Sequence, residues 1–569
     1  MRICIPALFA LLAMAPGPKL DGATEELLPV GEVYRFLPGG SWRRTKAADN
    51  QPDPVPGLTD EEAAAARQRV RVSTLLRAYV DRIAAAHGDL VDPELQEWLA
   101  QREDLRNAFW LALDPRYDDA AGAIAMLDRL RRERPESVER YYHLAIAMAV
   151  VHDQADAVDS ARYFLIWGVE AEQWRPRPDP MEIWDFFTDP QRNRHLAMRP
   201  DRLVWPLLVH VVDLDLDQAE RDWAIQRFHK QSRQLQTVYR QVRYDYAKLD
   251  RQPSLGKREY SLANLLDPAV GGVCVDQAHV CSRVMKTFGI PALKMAGHGR
   301  YGGAGHAWAS YLVLRGGAGL ADTGRYNGDN YWTGTAFDPQ RRTTVRDRDI
   351  LMMLDGAVQD YPRYIEALAL TRMAAASADS HPQAAYELVA EALDRNGFCK
   401  PAWEQLADHY LTGTIDDDDL NRHFRRIGYL KRHPDTLVTV IERILQRYAT
   451  DDIRARMKLY DSALRILGER PDLQLHLTRL RCQELFAAGH AEPAIETAVN
   501  VLVANCEEGR LILPLVTMVV EECLQFDAAV RRHAYDYLDA MAERNYPRQR
   551  HGVVAESYLE LRALLDRLR

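Results

Sequence analysis

The sequence has few cysteines, no excess of positive charge and no long apolar run, and each absence excludes a class of protein. Seven cysteines in 569 residues are too few for a scaffold held together by disulfides. Lysine and arginine number 73 against 82 aspartates and glutamates, a formal net charge of −9, so we predict no nucleic-acid partner. No apolar run reaches the roughly 20 residues that cross a bilayer, so we predict no stable membrane span.

The composition is otherwise that of a folded globular protein, with 47% hydrophobic and 27% charged residues. Local composition changes along the chain and predicts an α+β protein, in which a central mixed domain lies between mainly α-helical regions. The predicted segments are a signal peptide over 1–18, a linker over 19–65, a helical domain over 66–250, the mixed domain over 251–345 and a helical-hairpin array over 346–569.

The N-terminus has the pattern of a secretory signal peptide. A positively charged start is followed by a mainly apolar run over 3–15, which ends in small residues. This combination is typical of a peptide that directs export, so we predict a periplasmic or extracellular protein. The alternative is an uncleaved terminal segment, because Pro16 directly after the cleavage site disfavours cleavage.

Apolar residues recur at helical spacing in both regions that we predict to be helical. A spacing of i, i+3, i+4 and i+7 places four side chains on one helix face, which then faces the core. The clearest stripes are Ala123, Met126, Leu127 and Leu130; Ala385, Leu388, Val389 and Ala392; and Ile495, Ala498, Val499 and Leu502. Successive helices of this kind resemble tetratricopeptide-like hairpins, so we expect the C-terminal array to offer a surface for protein partners.

Between the helical regions a glycine-rich stretch contains three motifs in a fixed order. These motifs are Gly271-Gly272-Val273-Cys274-Val275-Asp276-Gln277-Ala278, then Gly289-Ile290-Pro291-Ala292, and then Gly305-His306-Ala307-Trp308. The 15 residues from Cys274 to Gly289 have the length of a helix of about four turns. The apolar segment over 307–314 predicts a strand, and two further strand candidates end near Asp322 and Phe337.

These motifs resemble those of the transglutaminase-like superfamily, which contains Cys-His-Asp thiol enzymes of the papain-like type. In that superfamily a Gly-x-Cys helix start is followed by a Gly-Ile-Pro-Ala turn and a His-Ala-Trp strand. The resemblance covers roughly 95 residues, about a sixth of the chain. It implies a papain-like domain over 251–345, with Cys274 as the catalytic nucleophile and His306 as its base.

The resemblance also implies a third catalytic residue, for which two aspartates are candidates. In the superfamily this aspartate follows the histidine by about 15 or 16 positions, on the strand that returns from a hairpin. Asp322 lies 16 residues after His306 and is the predicted catalytic residue. Asp338 precedes Pro339, as the superfamily's aspartate often does, but it lies 32 residues after His306 and is the alternative.

The chemistry of the residues supports the same roles. A thiol with a free pKa near 8.5 is mostly protonated at neutral pH, so a nucleophilic cysteine needs a base or a nearby positive charge. A helix that starts at Cys274 supplies N–H donors and the positive end of its dipole, and Gly271-Gly272 would let a substrate approach them. His306 would pair with the thiolate and later protonate the leaving group, and a carboxylate would fix its tautomer. The alternative is a structural cysteine beside an unrelated histidine.

Other residues that suggest chemistry are interpreted as structural, and no metal or cofactor is expected. On one helix, Cys274 and Cys281 would lie about 10.5 Å apart along the axis, too far for a disulfide, so Cys281 is predicted to lie in the core. Asp213, Asp215 and Asp217 mimic the start of a calcium loop, but the glycine and glutamate of such a loop are missing. Asp217 is instead predicted to cap a helix.

Two functions follow from the sequence. The first is an exported thiol enzyme that attacks amide bonds of a protein or peptide through a Cys274 thioester. Such an enzyme passes the acyl group to water, as a peptidase or amidase does, or to an amine, as a transglutaminase does. The alternative is a catalytically inactive, transglutaminase-like scaffold for protein–protein interaction.

Overall fold

A computed structural model describes 32–37, 41–46, 57–60, 63, 72–154, 178–247, 261–298, 305–314, 319–325, 334–424, 430–447, 453–467, 470–545 and 553–569. The predicted signal peptide lies outside these residues. The chain divides into two compact units: the first comprises Met1–Gly297, Gly305–Arg325 and Thr333–Ala402, and the second is built mainly from Trp403–Arg569. The segments predicted as a helical domain and as a mixed domain therefore belong to the same unit.

A single sheet of seven described strands organises the first unit. The strands are β1 (Glu32–Leu37), β2 (Ser41–Lys46), β3 (Ala292–His298), β4 (Gly305–Val313), β5 (Gly319–Thr323), β6 (Thr335–Asp338) and β7 (Thr343–Arg346). Their order across the sheet is β2-β1-β7-β6-β3-β4-β5. The pairs β1–β2, β1–β7, β3–β6, β4–β5 and β6–β7 are antiparallel. Helix and sheet are thus combined in one unit, as the α+β prediction requires.

Two of these strands lie in the segment predicted to be a linker. β1 and β2 pair along their whole length, from Glu32 opposite Lys46 to Leu37 opposite Ser41, and β1 also pairs with β7. Both strands contain β-branched or aromatic residues, which favour extended structure. The glycines and prolines on which the linker prediction depended lie between and after these strands, so they did not reveal the pairing.

The helices of the first unit come before and after the five central strands. The helices before them are α1 (Val72–Ala86), α2 (Pro93–Ala100), α3 (Glu103–Ala112), α4 (Ala120–Glu133), α5 (Pro135–Val138), α6 (Tyr142–Val151), α7 (Pro180–Thr188), α8 (Pro190–Asn193), α9 (Trp205–Val212), α10 (Gln218–Phe228), α11 (Leu262–Leu265) and α12 (Cys274–Thr287). After β7 follow α13 (Asp347–Gln359), α14 (Tyr361–Ser377) and α15 (Pro382–Arg395). A 3₁₀ segment, Leu235–Gln241, packs against α12 and β5.

From Lys400 onward the described residues form helices, as the sequence predicted. These are α16 (Lys400–Thr412), α17 (Asp417–Phe424), α18 (Pro434–Arg447), α19 (Ile453–Leu467), α20 (Pro471–Ala487), α21 (Ala491–Ala504), α22 (Leu513–Cys523), α23 (Ala528–Asn545) and α24 (Val553–Asp566). Shorter 3₁₀ segments elsewhere are Gly88–Leu90, Pro200–Arg202, His229–Gln231, Leu430–Arg432 and Cys506–Ile512. None of the helices in the described ranges is long and apolar enough to cross a bilayer.

The three apolar stripes face the core, as their spacing predicted. All four residues of the stripe on α4 are buried, and so are all four on α15. On α21, Ile495, Ala498 and Leu502 are buried, and Val499 is partly buried against the same cluster. Consecutive helices such as α14 with α15 and α20 with α21 lie against each other. The assignment of these helices to tetratricopeptide-like repeats stays a prediction.

Candidate active site

Helix α12 begins at Cys274, as the sequence predicted. Val273 precedes it in an extended conformation, with φ −110° and ψ −174°. The Val273 backbone N–H donates to Oδ2 of Asp276 at 2.7 Å, so a carboxylate in the first turn stabilises the helix start. Cys274 is 5% exposed.

Neighbouring atoms leave no room for a Cβ at either of the two glycines before the helix. Gly271 has φ +59°, and a Cβ there would lie 2.7 Å from the carbonyl oxygen of Arg243. A Cβ on Gly272 would lie 2.5 Å from Cβ of Asp276. Gly272 also donates to the Arg243 carbonyl at 2.8 Å, and Asp245 donates back to the Gly272 carbonyl at 2.8 Å. These close contacts account for both glycines, whereas the sequence suggested that the glycines let a substrate approach.

Strand β4 carries His306 to the start of α12. β4 packs against α12, and the backbone of Ala307 lowers the pKa of the Cys274 thiol. His306 directly precedes Ala307 on this strand and is 9% exposed. The structure therefore packs the helix of the predicted nucleophile against the strand of the predicted base, although 32 positions separate Cys274 and His306 in the sequence.

The imidazole of His306 forms a hydrogen bond with a main-chain carbonyl. Its Nε2 lies 2.6 Å from the carbonyl oxygen of Gly324. Because a carbonyl only accepts hydrogen bonds, Nε2 carries the proton and the lone pair of the neutral ring is on Nδ1. The ring also stacks on Trp308, with centroids 6.2 Å apart and planes inclined by 25°. The imidazole is thereby held in one tautomer and one orientation.

Asp322 lies on the strand next to His306 but pairs with other residues. Cα pairing places it opposite Ser310, four residues and about 13 Å along the strand from His306. Ser310 donates its hydroxyl hydrogen to Oδ1 of Asp322. Arg325 donates to Oδ2 at 2.8 Å. These contacts fix the carboxylate beside Ser310.

Asp338, the alternative third residue, ends β6, which is separated from β4 by β3. Its Oδ1 accepts from the backbone N–H of Gln340 at 3.1 Å and of Arg341 at 2.8 Å. These bonds close the turn between β6 and β7. Of the two aspartates, only Asp322 belongs to the strand that pairs with the strand of His306.

Arg325 connects Asp322 to the start of α13. Its guanidinium lies 4.8 Å from the centre of the Trp308 ring, a cation–π arrangement. The same group donates to Asp322 and, at 3.2 Å, to Oδ2 of Asp347 at the start of α13. Since Trp308 stacks on His306, the contacts of Arg325 help to fix the Trp308 ring against the imidazole.

Burial determines the protonation state of Cys274, the predicted nucleophile. It raises the pKa of the Cys274 thiol to about 11. The charge of Asp276 acts in the same direction, while backbone hydrogen bonds from Ala307, Val275 and Cys274 itself lower the pKa only in part. Desolvation of the thiolate therefore outweighs the helix start, and the thiol is protonated at neutral pH.

The sequence did not reveal the segment around Tyr239, which contacts both halves of the site. The Tyr239 hydroxyl donates to the Ala307 carbonyl at 2.8 Å. The nearby Gln277 side chain, on α12, donates to the Val242 carbonyl at 2.9 Å. Tyr239 and Ala307 are 68 positions apart, and no local pattern marks such a contact. The sequence predicted this segment to belong to the helical domain over 66–250 and not to the site.

Cys281 lies in the core as predicted. It is fully buried and free, and its sulfur lies 3.8 Å from the carbonyl oxygen of Leu235. Burial raises the pKa of its thiol to about 12. Cys281 therefore packs against the 3₁₀ segment, and its thiol is protonated at neutral pH.

The three aspartates that mimic a calcium loop have separate structural partners. Asp213 pairs with Lys286 at 3.2 Å, and Asp215 pairs with Arg283 at 2.5 Å. Asp217 caps α10, as predicted, by accepting the Glu220 N–H at 2.8 Å. Within the described ranges, no group of three or more His, Cys, Asp or Glu side chains is arranged to hold a metal ion.

Comparisons with known proteins found nothing similar to the chain. No family model matches it, and no significant match was found among curated proteins or solved structures.

Proposed function

We propose that the protein is an exported thiol enzyme of the transglutaminase-like, papain-like type, in which Cys274 attacks an amide carbonyl and His306 is the base. The observation that carries this proposal is the packing of α12, which begins at Cys274, against β4, which carries His306. Nε2 of His306 is held by the Gly324 carbonyl. A cysteine at a helix start beside a histidine on a strand is also what the three sequence motifs imply.

The raised pKa of Cys274 determines the order of events. Because the resting thiol is protonated, the sulfur attacks the carbonyl carbon as its proton passes to Nδ1 of His306. Backbone N–H groups of the first turn of α12 stabilise the resulting oxyanion. The C–N bond then breaks, the leaving amine takes the proton from His306, and a thioester remains on Cys274.

The second half of the reaction releases the acyl group. Water or an amine attacks the thioester, and His306 accepts the proton from this nucleophile and returns it to the sulfur. Water is the default acceptor for an exported protein, so we favour hydrolysis of a protein or peptide substrate. The proposal includes cleavage of the N-terminal signal peptide, which N-terminal sequencing of the exported protein tests.

One observation favours the second candidate, a catalytically inactive scaffold. Cys274 and His306 are only 5% and 9% exposed, which limits the access of a substrate. In that case the helical regions would bind protein partners, and Cys274 and His306 would have only a structural role.

Acylation of the cysteine separates the two candidates. We expect p-nitrophenyl acetate to leave one acetyl group on Cys274 of the full-length protein, located by mass spectrometry of its peptides. Cys274→Ala and His306→Ala should abolish this adduct and the burst of p-nitrophenol. An absent adduct in folded wild-type protein, or one unaffected by His306→Ala, contradicts the enzyme and leaves the scaffold.

A further inference from the structure

Tyr239 is buried between the two chain segments that carry the candidate catalytic pair. It lies on the 3₁₀ segment Leu235–Gln241 and is 1% exposed. Its hydroxyl donates to the Ala307 carbonyl at 2.8 Å. Ala307 follows His306 on β4, which packs against α12, and its backbone lowers the pKa of the Cys274 thiol. One contact of Tyr239 therefore holds the part of β4 that faces the nucleophile.

The ring of Tyr239 makes the second contact, with Gly324. Gly324 has φ +85°, and a Cβ at this position would collide with the ring. Glycine is thus required both by its left-handed backbone and by the ring that lies against it. Its carbonyl oxygen accepts the hydrogen bond from Nε2 of His306 at 2.6 Å. The ring therefore supports the acceptor that orients the base.

We propose that Tyr239 is a positioning residue for the Cys274–His306 pair and that the Gly324 carbonyl, supported by the Tyr239 ring, orients the imidazole. This inference rests on the proposed function. The hydroxyl holds Ala307 next to the sulfur, and the ring holds Gly324 next to Nε2. One buried side chain thereby fixes both halves of the pair.

Other bonds anchor the same segment independently of the Tyr239 hydroxyl. Thr323 donates its hydroxyl hydrogen to the Gln236 carbonyl at 2.9 Å, and Gln277 donates to the Val242 carbonyl at 2.9 Å. The segment should therefore stay in place when only the hydroxyl is removed. Tyr239→Phe thus separates positioning from folding.

The first measurement compares steady-state hydrolysis of p-nitrophenyl acetate by full-length variants. Loss of one hydrogen bond in Tyr239→Phe should lower kcat by about tenfold, with KM within about twofold because no substrate contact is removed. The control is Tyr141→Phe, because the Tyr141 hydroxyl accepts from Asn193 at 3.0 Å in a buried part of the same unit. Tyr141→Phe should keep wild-type kcat.

The second measurement does not depend on activity. ¹⁵N labelling of histidine reports the tautomer of each ring, and His306→Gln identifies the signal of His306. Wild type should show the Nε2–H tautomer, whereas Tyr239→Leu, which lacks ring and hydroxyl, should show a mixture of tautomers. If Tyr239→Leu does not fold, Tyr239→Phe decides through kcat.

Two results would overturn the positioning role: wild-type kcat in Tyr239→Phe, or an unchanged Nε2–H tautomer in folded Tyr239→Leu. Absence of an acyl-enzyme in wild type would instead refute the proposed function. In that case the tautomer comparison alone decides whether Tyr239 orients His306.

Discussion

The imidazole of His306 donates from Nε2 to the main-chain carbonyl of Gly324, 2.6 Å away. A carbonyl at this position does what a carboxylate does in a catalytic triad, since it selects the tautomer and holds the ring. It lacks the negative charge that would stabilise a protonated imidazole. The orientation of this imidazole therefore depends on the backbone at Gly324, against which the Tyr239 ring lies.

The nucleophile can be identified by comparing the two cysteines of α12. Cys274→Ala should abolish acetylation by p-nitrophenyl acetate and leave the unfolding temperature near that of wild type. Cys281→Ala should keep acetylation but lower stability by about 1–2 kcal/mol, because a fully buried sulfur leaves a cavity. Equal loss of acetylation in both variants, with both folded, would show that Cys274 is not the specific nucleophile.

The third residue can be tested by neutralising each aspartate. Because Asp322 bonds Ser310 and Arg325, we expect Asp322→Asn to lower kcat by no more than about tenfold, the effect of one altered hydrogen bond. Asp338→Asn should weaken the turn between β6 and β7 and leave kcat unchanged. The measurements are kcat and the unfolding temperature. A loss near the 10⁴-fold of a triad aspartate would instead support the direct catalytic role that the resemblance implies for Asp322.

The pKa of Cys274 predicts how its alkylation depends on pH. Since burial raises this pKa to about 11, the thiolate fraction should increase about tenfold per pH unit from neutral pH towards that value. Alkylation of Cys274 by iodoacetamide, followed by peptide mass spectrometry, should therefore be slow at pH 6 and rise steadily at least to pH 9. A rate that is already constant between pH 6 and 8 would show a preformed thiolate and a different mechanism.

Because His210 is buried, we predict that the first unit loses stability in mild acid. Burial lowers the pKa of His210 to about 4, with nearby charges of both signs from Asp338, Lys286, Asp213 and Arg341. The pKa of His210 is lower in the folded protein than the value of about 6.5 in the unfolded protein. The contribution of neutral His210 to the free energy of unfolding is therefore fully present above pH 6.5. It is lost as pH falls towards 4, at about 1.4 kcal/mol per pKa unit.

Calorimetry of a His210 variant checks this prediction. His210→Met, which does not titrate, should reduce the fall in unfolding temperature between pH 7 and pH 4.5. Ile183→Val, another fully buried change, should lower the unfolding temperature equally at both pH values. An identical acid dependence in wild type and His210→Met would show that His210 is not responsible.

The sequence by itself determined the local elements of this protein. The 15-residue spacing from Cys274 to Gly289 predicted a helix, and α12 occupies Cys274–Thr287. The β-prone segment over 307–314 corresponds to β4 (Gly305–Val313), and Asp217 caps α10. These features depend on residues a few positions apart, because periodicity, capping and strand propensity act over that distance.

Only the tertiary structure decided how these elements meet. The antiparallel register places Asp322 opposite Ser310, a pairing that the spacing of residues in the sequence does not reveal. The contact of Tyr239 with Ala307 spans 68 positions, and burial reverses the direction of the pKa shift expected for Cys274 at a helix start. Strand register, long-range packing and desolvation depend on residues far apart in the chain, so no local pattern contains them.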